Sequence, residues 1–357
     1  MSSEPDFAFF SFPPSEVFRD AALARQRTLT KPDGSLGRLE ELAVQLASLG
    51  PDGVAASRPA AAILFVSDHP VAAHGVSAFP AEVTAAMTAN FLRGGAAAAV
   101  AAASLDVSLS IVDVGVAARY PVESRAPHIS FMRDEVANFP VGDLTIADAL
   151  PSPTLAASIR AGRRAVAALP AGTRVVVLGE MGIGNTTVAA AVAGALLGCS
   201  ADAIAGPGTG VAGEVLARKR NVVAQGLARV RPGAGPAEVL LAVGGREIAA
   251  LVGAAGEAAA RGMVVLVDGF IVSAAMLALV RWCPAARARL VFSHQSREPG
   301  HALVLSALDA RPLLDLDLRL GEASGAFAAL PLLDLACALH HGMATFEDAG
   351  VPGQSSA

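Results

Sequence analysis

The chain has little of several things. Of its 27 lysine and arginine residues only Lys31 and Lys219 are lysine, and it holds one Trp, one Tyr and three cysteines. The cysteines, Cys199, Cys283 and Cys337, are odd in number, far apart and outside any CxxC spacing. That excludes a disulfide framework and a zinc knot, and it implies a reducing compartment, the cytoplasm. So few aromatic platforms, with a net charge of −5, argue against nucleic acid or an anionic membrane surface as partner. The start, Met1-Ser2-Ser3-Glu4-Pro5-Asp6, lacks the basic flank and apolar stretch of a signal peptide. Mean hydropathy is high, at +0.51. Yet Met181–Ala201 opens with Gly, Asn and Thr, and Gly262–Val280 carries Asp268 in its middle, which is costly in lipid. Each is expected to be a buried strand followed by a buried helix.

What is present is 53% hydrophobic sequence over 357 residues, enough for one large α/β domain or two domains. Six short apolar runs recur: Ala62–Ser67, Val107–Val112, Arg174–Leu178, Val239–Val243, Met263–Val267 and Leu290–Phe292. Near-continuous hydrophobicity marks strands covered on both faces. Helical stretches between them predict a parallel six-stranded, Rossmann-like sheet flanked by helices. Polar clusters follow the runs: Asp68-His69, Asp113-Val114-Gly115, Gly179-Glu180-Met181-Gly182, Gly244-Gly245-Arg246-Glu247, Asp268-Gly269-Phe270 and Ser293-His294-Gln295-Ser296. Ligands of open α/β sheets bind along the carboxyl edge, so the clusters predict one shared site. The expected organisation is a large domain over 56–325, a small helical domain from 1–55 with 326–347, and a flexible tail over 348–357.

The strongest local signal is Leu178-Gly179-Glu180-Met181-Gly182-Ile183-Gly184-Asn185-Thr186-Thr187, read as strand, glycine loop and helix start. Glycines let backbone N–H groups approach an anion at a helix N-terminus, and Glu180 places an acid beside them. The spacing is neither a P-loop nor GxGxxG. A plain helix cap by Asn185 or Thr186 is the bland alternative. A second glycine loop, Gly206-Pro207-Gly208-Thr209-Gly210, precedes a helix bearing Lys219, which suits phosphate or ribose. Asp68, His69 and His74 fit either pocket lining or a metal, although their spacing is not that of helical metal ligands. His294 and His301 bracket a segment that reads as helix capping and a solvated loop. Glu322, between Leu320-Gly321 and Ala323-Ser324-Gly325, is either an acid favoured by a helix dipole or a base with a raised pKa.

Together these blocks resemble the nicotinate-nucleotide:dimethylbenzimidazole phosphoribosyltransferase family. The similarity rests on Lys31–Glu40, Gly75–Pro80, Val83-Thr84, Asn90-Phe91 with Gly94-Gly95, Gly179–Thr187, Gly208–Gly210, Gly244-Gly245 with Glu247–Ala250, Asp268–Ile271, Ser293-His294 with Gly300-His301, and Arg319–Glu322. The resemblance implies a homodimer that uses no cofactor and no metal. It implies transfer of the phosphoribosyl group of nicotinate mononucleotide to a benzimidazole nitrogen with inversion, in assembly of the cobalamin lower ligand. It makes Glu322 the general base and puts Glu180, Gly182, Gly208 and Lys219 around the phosphoribosyl moiety and Ser296 near it. Gly184, Phe79, Met181 and Leu320 are the further substrate-binding candidates. Four positions depart from the family pattern: Pro70 replaces Gly, Phe79 replaces Tyr, Pro207 lies inside the second glycine loop, and Glu322-Ala323-Ser324-Gly325 replaces Glu-Gly-Thr-Gly. A non-catalytic nucleotide sensor on the same fold is the competing function.

Overall fold

The computed structural model describes residues 11–122, 126–208 and 210–352. The first ten residues, Thr209 of the second glycine loop and the 353–357 end of the expected tail lie outside the described residues. Six parallel strands form one sheet: β1 (Ala60–Ser67), β2 (Ser108–Gly115), β3 (Ile129–Arg133), β4 (Val175–Met181), β5 (Val264–Val267) and β6 (Leu290–Phe292). Their order is β3-β2-β1-β4-β5-β6. The direction in which strands are added reverses between β1 and β4, and the crevice at that switch point is where such sheets bind ligands. β1 and β4 pair in register, with Phe65 opposite Glu180.

Helices cover both faces. They are α1 (Glu16–Thr28), α2 (Arg38–Leu49), α3 (Val83–Leu92), α4 (Ala97–Ser104), α5 (Ser152–Ala167), α6 (Asn185–Leu197), α7 (Ala201–Ile204), α8 (Gly213–Ala228), α9 (Pro236–Val243), α10 (Arg246–Ala260), α11 (Phe270–Trp282), α12 (Pro299–Ala307) and α13 (Ser324–Gly342). The period-2 alternation of a strand splits the core. Ile63, Phe65, Val176 and Leu178 point towards α5, α6, α10 and α11. Ala62, Leu64, Val175 and Val177 point towards α2, α4 and α13. The chain ends meet: Arg25 donates to the His340 carbonyl at 2.7 Å and the His341 carbonyl at 2.9 Å. Leu42 and Leu46 of α2 and Leu330 and Leu333 of α13 share their core with the sheet.

Two expectations fail. Val239–Val243 is the end of helix α9, not a strand. A five-residue apolar run does not separate buried helix from buried strand. The deciding signals lie just before it: Pro236 at the first helical position and Glu238 in the first turn. The actual sixth strand, β3, is an edge strand with partly exposed Ser130, Phe131 and Met132, so its sequence lacks the continuous apolar signature. Gly244–Glu247 therefore follows a helix. Both long apolar runs are strand plus helix: Met181–Ala201 takes in the end of β4 and all of α6, and Gly262–Val280 takes in β5 and most of α11. Among the described residues no helix is long and apolar enough to cross a membrane.

Candidate active site

A cavity of about 290 Å³ opens at the carboxyl ends of β4, β5 and β6. Of the residues that the family resemblance marks for catalysis or substrate binding, all except Lys219 line it, and Lys219 contacts its wall. Of the six polar clusters, those at Gly179–Gly182, Asp268–Phe270 and Ser293–Ser296 reach it, whereas Asp68-His69, Asp113–Gly115 and Gly244–Glu247 do not. The glycine loop leaves β4 and enters α6 through Gly184, which takes a left-handed φ of +94° as the N-cap residue. Neither Asn185 nor Thr186 is the cap; their side chains turn elsewhere. Asn185 donates to the Glu180 carboxylate, and Thr186 Oγ1 accepts from Lys219 Nζ at 3.0 Å.

Lys219, on α8, is almost fully buried, and its ammonium also donates to the Gly206 carbonyl at 2.8 Å. A Cβ on Gly208 would lie 3.3 Å from that nitrogen, so the two glycine loops and the lysine converge. Glu298 faces them; burial pushes its carboxyl up, and the Lys219 charge partly opposes this. Burial lowers the Lys219 pKa in turn.

Glu322 sits two residues before α13, on a turn in which Gly321, Glu322 and Ala323 have φ of +82°, +59° and +59°. Left-handed non-glycine residues cost about 1–3 kcal/mol each and persist only where the surroundings fix them. Here the surroundings do. Gly179 of β4 lacks a side chain where a Cβ would meet the Ala323 Cβ at 2.7 Å. Asp268, at the end of β5, accepts from the Gly325 N–H at 2.8 Å and the Ala326 N–H at 3.0 Å. Gly325 lies flat against the His294 ring. Glu322 is 5% exposed; burial, then the Asp268 charge, raises its pKa to about 7. That is the range in which a general base is most effective at neutral pH. Glu180 is buried at the cavity wall, and its pKa is raised well above the usual carboxylate value by burial, then by Asp268, Glu247 and Glu322.

His294 and His301 are themselves buried, although alternate residues of the segment between them, Gln295, Arg297 and Pro299, are exposed. The Ser296 backbone N–H donates to His301 Nδ1 at 3.0 Å, and Nε2 faces Ser273 Oγ at 3.0 Å. Burial, then His294, lowers the His301 pKa to about 3, so its ring is neutral and holds Ser296 at the cavity wall. Phe79, on the loop before α3, and Leu320 are half-exposed at the mouth, with Met181, Val83 and Met87 further in. This gives the cavity an apolar end and a polar, glycine-rich end. Asp68, His69 and His74 diverge: Asp68 accepts from the Ala117 N–H at 2.8 Å, His69 faces Glu247, and His74 pairs with Asp143 at 2.6 Å. Pro70 opens a short 3-10 turn, where its fixed φ fits. Asp268, Thr186 and Asn185 are the site residues that sequence reasoning does not single out as ligand-facing. Asp268 lies in a strand-end cluster and Asn185 and Thr186 in the first turn of α6, and only the fold aims them.

A glycine-lined anion cradle, a buried lysine and an acid poised near neutrality on an open parallel sheet define an enzyme that handles a phosphorylated substrate. A family model described as Phosphoribosyltransferase matches residues 12–351. A nicotinate-nucleotide–dimethylbenzimidazole phosphoribosyltransferase of Bradyrhizobium sp. (strain BTAi1) is 51% identical over 346 residues, covering 96% of this chain and 97% of that one. One from Xanthomonas axonopodis pv. citri is 49% identical over 339 residues, covering 95% and 96%. The crystal structure of the Thermus thermophilus enzyme of that name superposes with a TM-score of 0.87 at 41% identity, covering 95% of this chain and 100% of that one. The chain belongs to the nicotinate-nucleotide–dimethylbenzimidazole phosphoribosyltransferase family.

Proposed function

We propose that the protein transfers the 5-phosphoribosyl group of nicotinate mononucleotide to 5,6-dimethylbenzimidazole or a related base. The products are nicotinate and α-ribazole 5'-phosphate, the nucleotide of the cobalamin lower ligand. The observation that carries this is Glu322, a buried acid with a pKa near 7 on a fixed turn, in one cavity with the glycine loops. The bond between ribose C1' and the pyridinium nitrogen breaks, and nicotinate leaves with the electron pair. The unprotonated ring nitrogen of the acceptor attacks from the opposite face, which inverts the centre, and the proton on the other ring nitrogen passes to Glu322. The reacting carbon gains oxocarbenium character, as in glycosyl transfer generally. Proton removal of this kind contributes roughly a hundredfold to ten-thousandfold.

Glu180, Gly182, Gly184, Gly208, Lys219 and Ser296 hold the phosphoribosyl group, and holding it in register with the base supplies much of the remaining rate. Phe79, Met181 and Leu320 flank the aromatic base at the apolar end. A homodimer follows from the family resemblance, and light scattering would test it. A cytoplasmic site of action fits three unpaired cysteines.

The test is a chromatographic product assay with nicotinate mononucleotide and, separately, dimethylbenzimidazole, adenine or phenol. Nicotinate release with an α-linked ribotide is expected. Folded protein that forms no ribotide with any acceptor would refute the activity.

A further inference from the structure

Two motifs that this reaction leaves unused meet in the fold. His69 follows β1, and Glu247 lies in the first turn of α10. His69 Nε2 is 3.0 Å from Glu247 Oε1, a close contact not aligned as a hydrogen bond, with side chains 4% and 0% exposed. The imidazole is wedged between two glycine backbones. A Cβ on Gly182 would lie 3.0 Å from Nε2 and would run into the Ser67 carbonyl; a Cβ on Gly245 would lie 2.7 Å from Cε1. Gly182 belongs to the glycine loop that lines the cavity, so the ring packs directly against the back of that loop. The start of α10 is anchored beside the ring, where Arg246 Nη1 donates to the Val114 and Ala137 carbonyls at 3.2 and 3.1 Å.

Burying an acid against an imidazole is costly, and apolar side chains of similar volume would fill the space at least as stably. A pair kept there is better explained by geometry than by stability. We propose that His69 and Glu247 are positioning residues for the nucleotide: their pair fixes the Gly182 turn, and with it the seat of the phosphoribosyl group, without touching substrate. This rests on the assignment of the glycine loop to the phosphoribosyl group. Glu247 acts on the same site through its charge as well, since it is one of the groups that raise the Glu180 pKa. Most of the apolar end of the cavity, Phe79, Val83, Met87 and Leu320, comes from other elements, with Met181 alone next to the Gly182 turn, so the nucleotide should respond more strongly than the base.

The experiment is steady-state kinetics on wild type, His69→Ala, His69→Gln and Glu247→Gln, with each substrate varied in turn. Melting curves would confirm folding. His69→Ala should raise KM for nicotinate mononucleotide at least tenfold and leave KM for dimethylbenzimidazole within twofold. Glu247→Gln, which keeps the shape and removes the charge, should raise the nucleotide KM at least threefold with the same selectivity. His69→Gln should return to within threefold of wild type. If His69→Ala does not fold, Glu247→Gln decides. An unchanged nucleotide KM, or both KM values rising together, would overturn the positioning role. Wild-type protein that shows no calorimetric binding of nicotinate mononucleotide would instead overturn the site assignment itself.

Discussion

Replacing Glu322 by Gln should move activity and stability in opposite directions. The carboxyl is raised from an ordinary 4.5 to about 7 by burial, then by Asp268. The native state therefore binds this proton more tightly than the unfolded chain does. Stability is fully present below about 4.5 and falls as pH rises through about 7, when a buried, unfavourable charge forms. The size of the rise corresponds to roughly 3 kcal/mol at alkaline pH. Glutamine keeps the shape and never ionises. The variant should melt with wild type near pH 4.5 and above it at pH 8, with the gap widening in between. Its turnover should fall by about a hundredfold to ten-thousandfold, because the proton acceptor is gone. Wild-type kcat should rise with pH to a plateau above about 7. The assays are ribotide formation from pH 5 to 9 and melting curves from pH 4.5 to 9. A kcat within threefold of wild type would refute the base assignment. A melting gap independent of pH would refute the raised pKa.

Asp268→Asn should shift the acid limb of the kcat profile to lower pH, since the Asp268 charge helps to raise Glu322; an unmoved limb would exclude that coupling. Lys219→Ala should raise KM for nicotinate mononucleotide at least tenfold. Lys219→Arg should not rescue it, because the ammonium is enclosed by the Gly206 carbonyl and the Thr186 hydroxyl; steady-state kinetics on both variants would check this. Gly179→Ala should push the Gly321–Ala323 turn out of place and cut kcat by at least tenfold in protein whose circular dichroism is native-like.

The strands legible in the sequence, β1, β2, β4, β5 and β6, are those with neighbours on both sides or helices on both faces, where burial demands unbroken hydrophobicity. β3 is illegible because four of its five residues are at least partly exposed, whereas the other edge strand, β6, is buried throughout and keeps the apolar pattern. α9 reads as a strand because its five apolar residues suit either state and only Pro236 and Glu238 distinguish them. The site divides in the same way. Glycine spacing, Glu180 and Glu322 are local features, and they show in the chain as a cradle and two acids. The raised pKa of Glu322 is not local: it requires Asp268, from another strand, and the closure of the cavity around it. The left-handed turn that carries Glu322 is held by Gly179 and Asp268, and the Gly182 loop is backed by His69 and Glu247. Sequence alone determined which groups exist and most of the elements that carry them, because period, propensity and loop chemistry act over a few residues. Tertiary structure decided what each group faces. Burial, coulombic coupling and the bracing of a turn depend on distances between residues far apart in the chain.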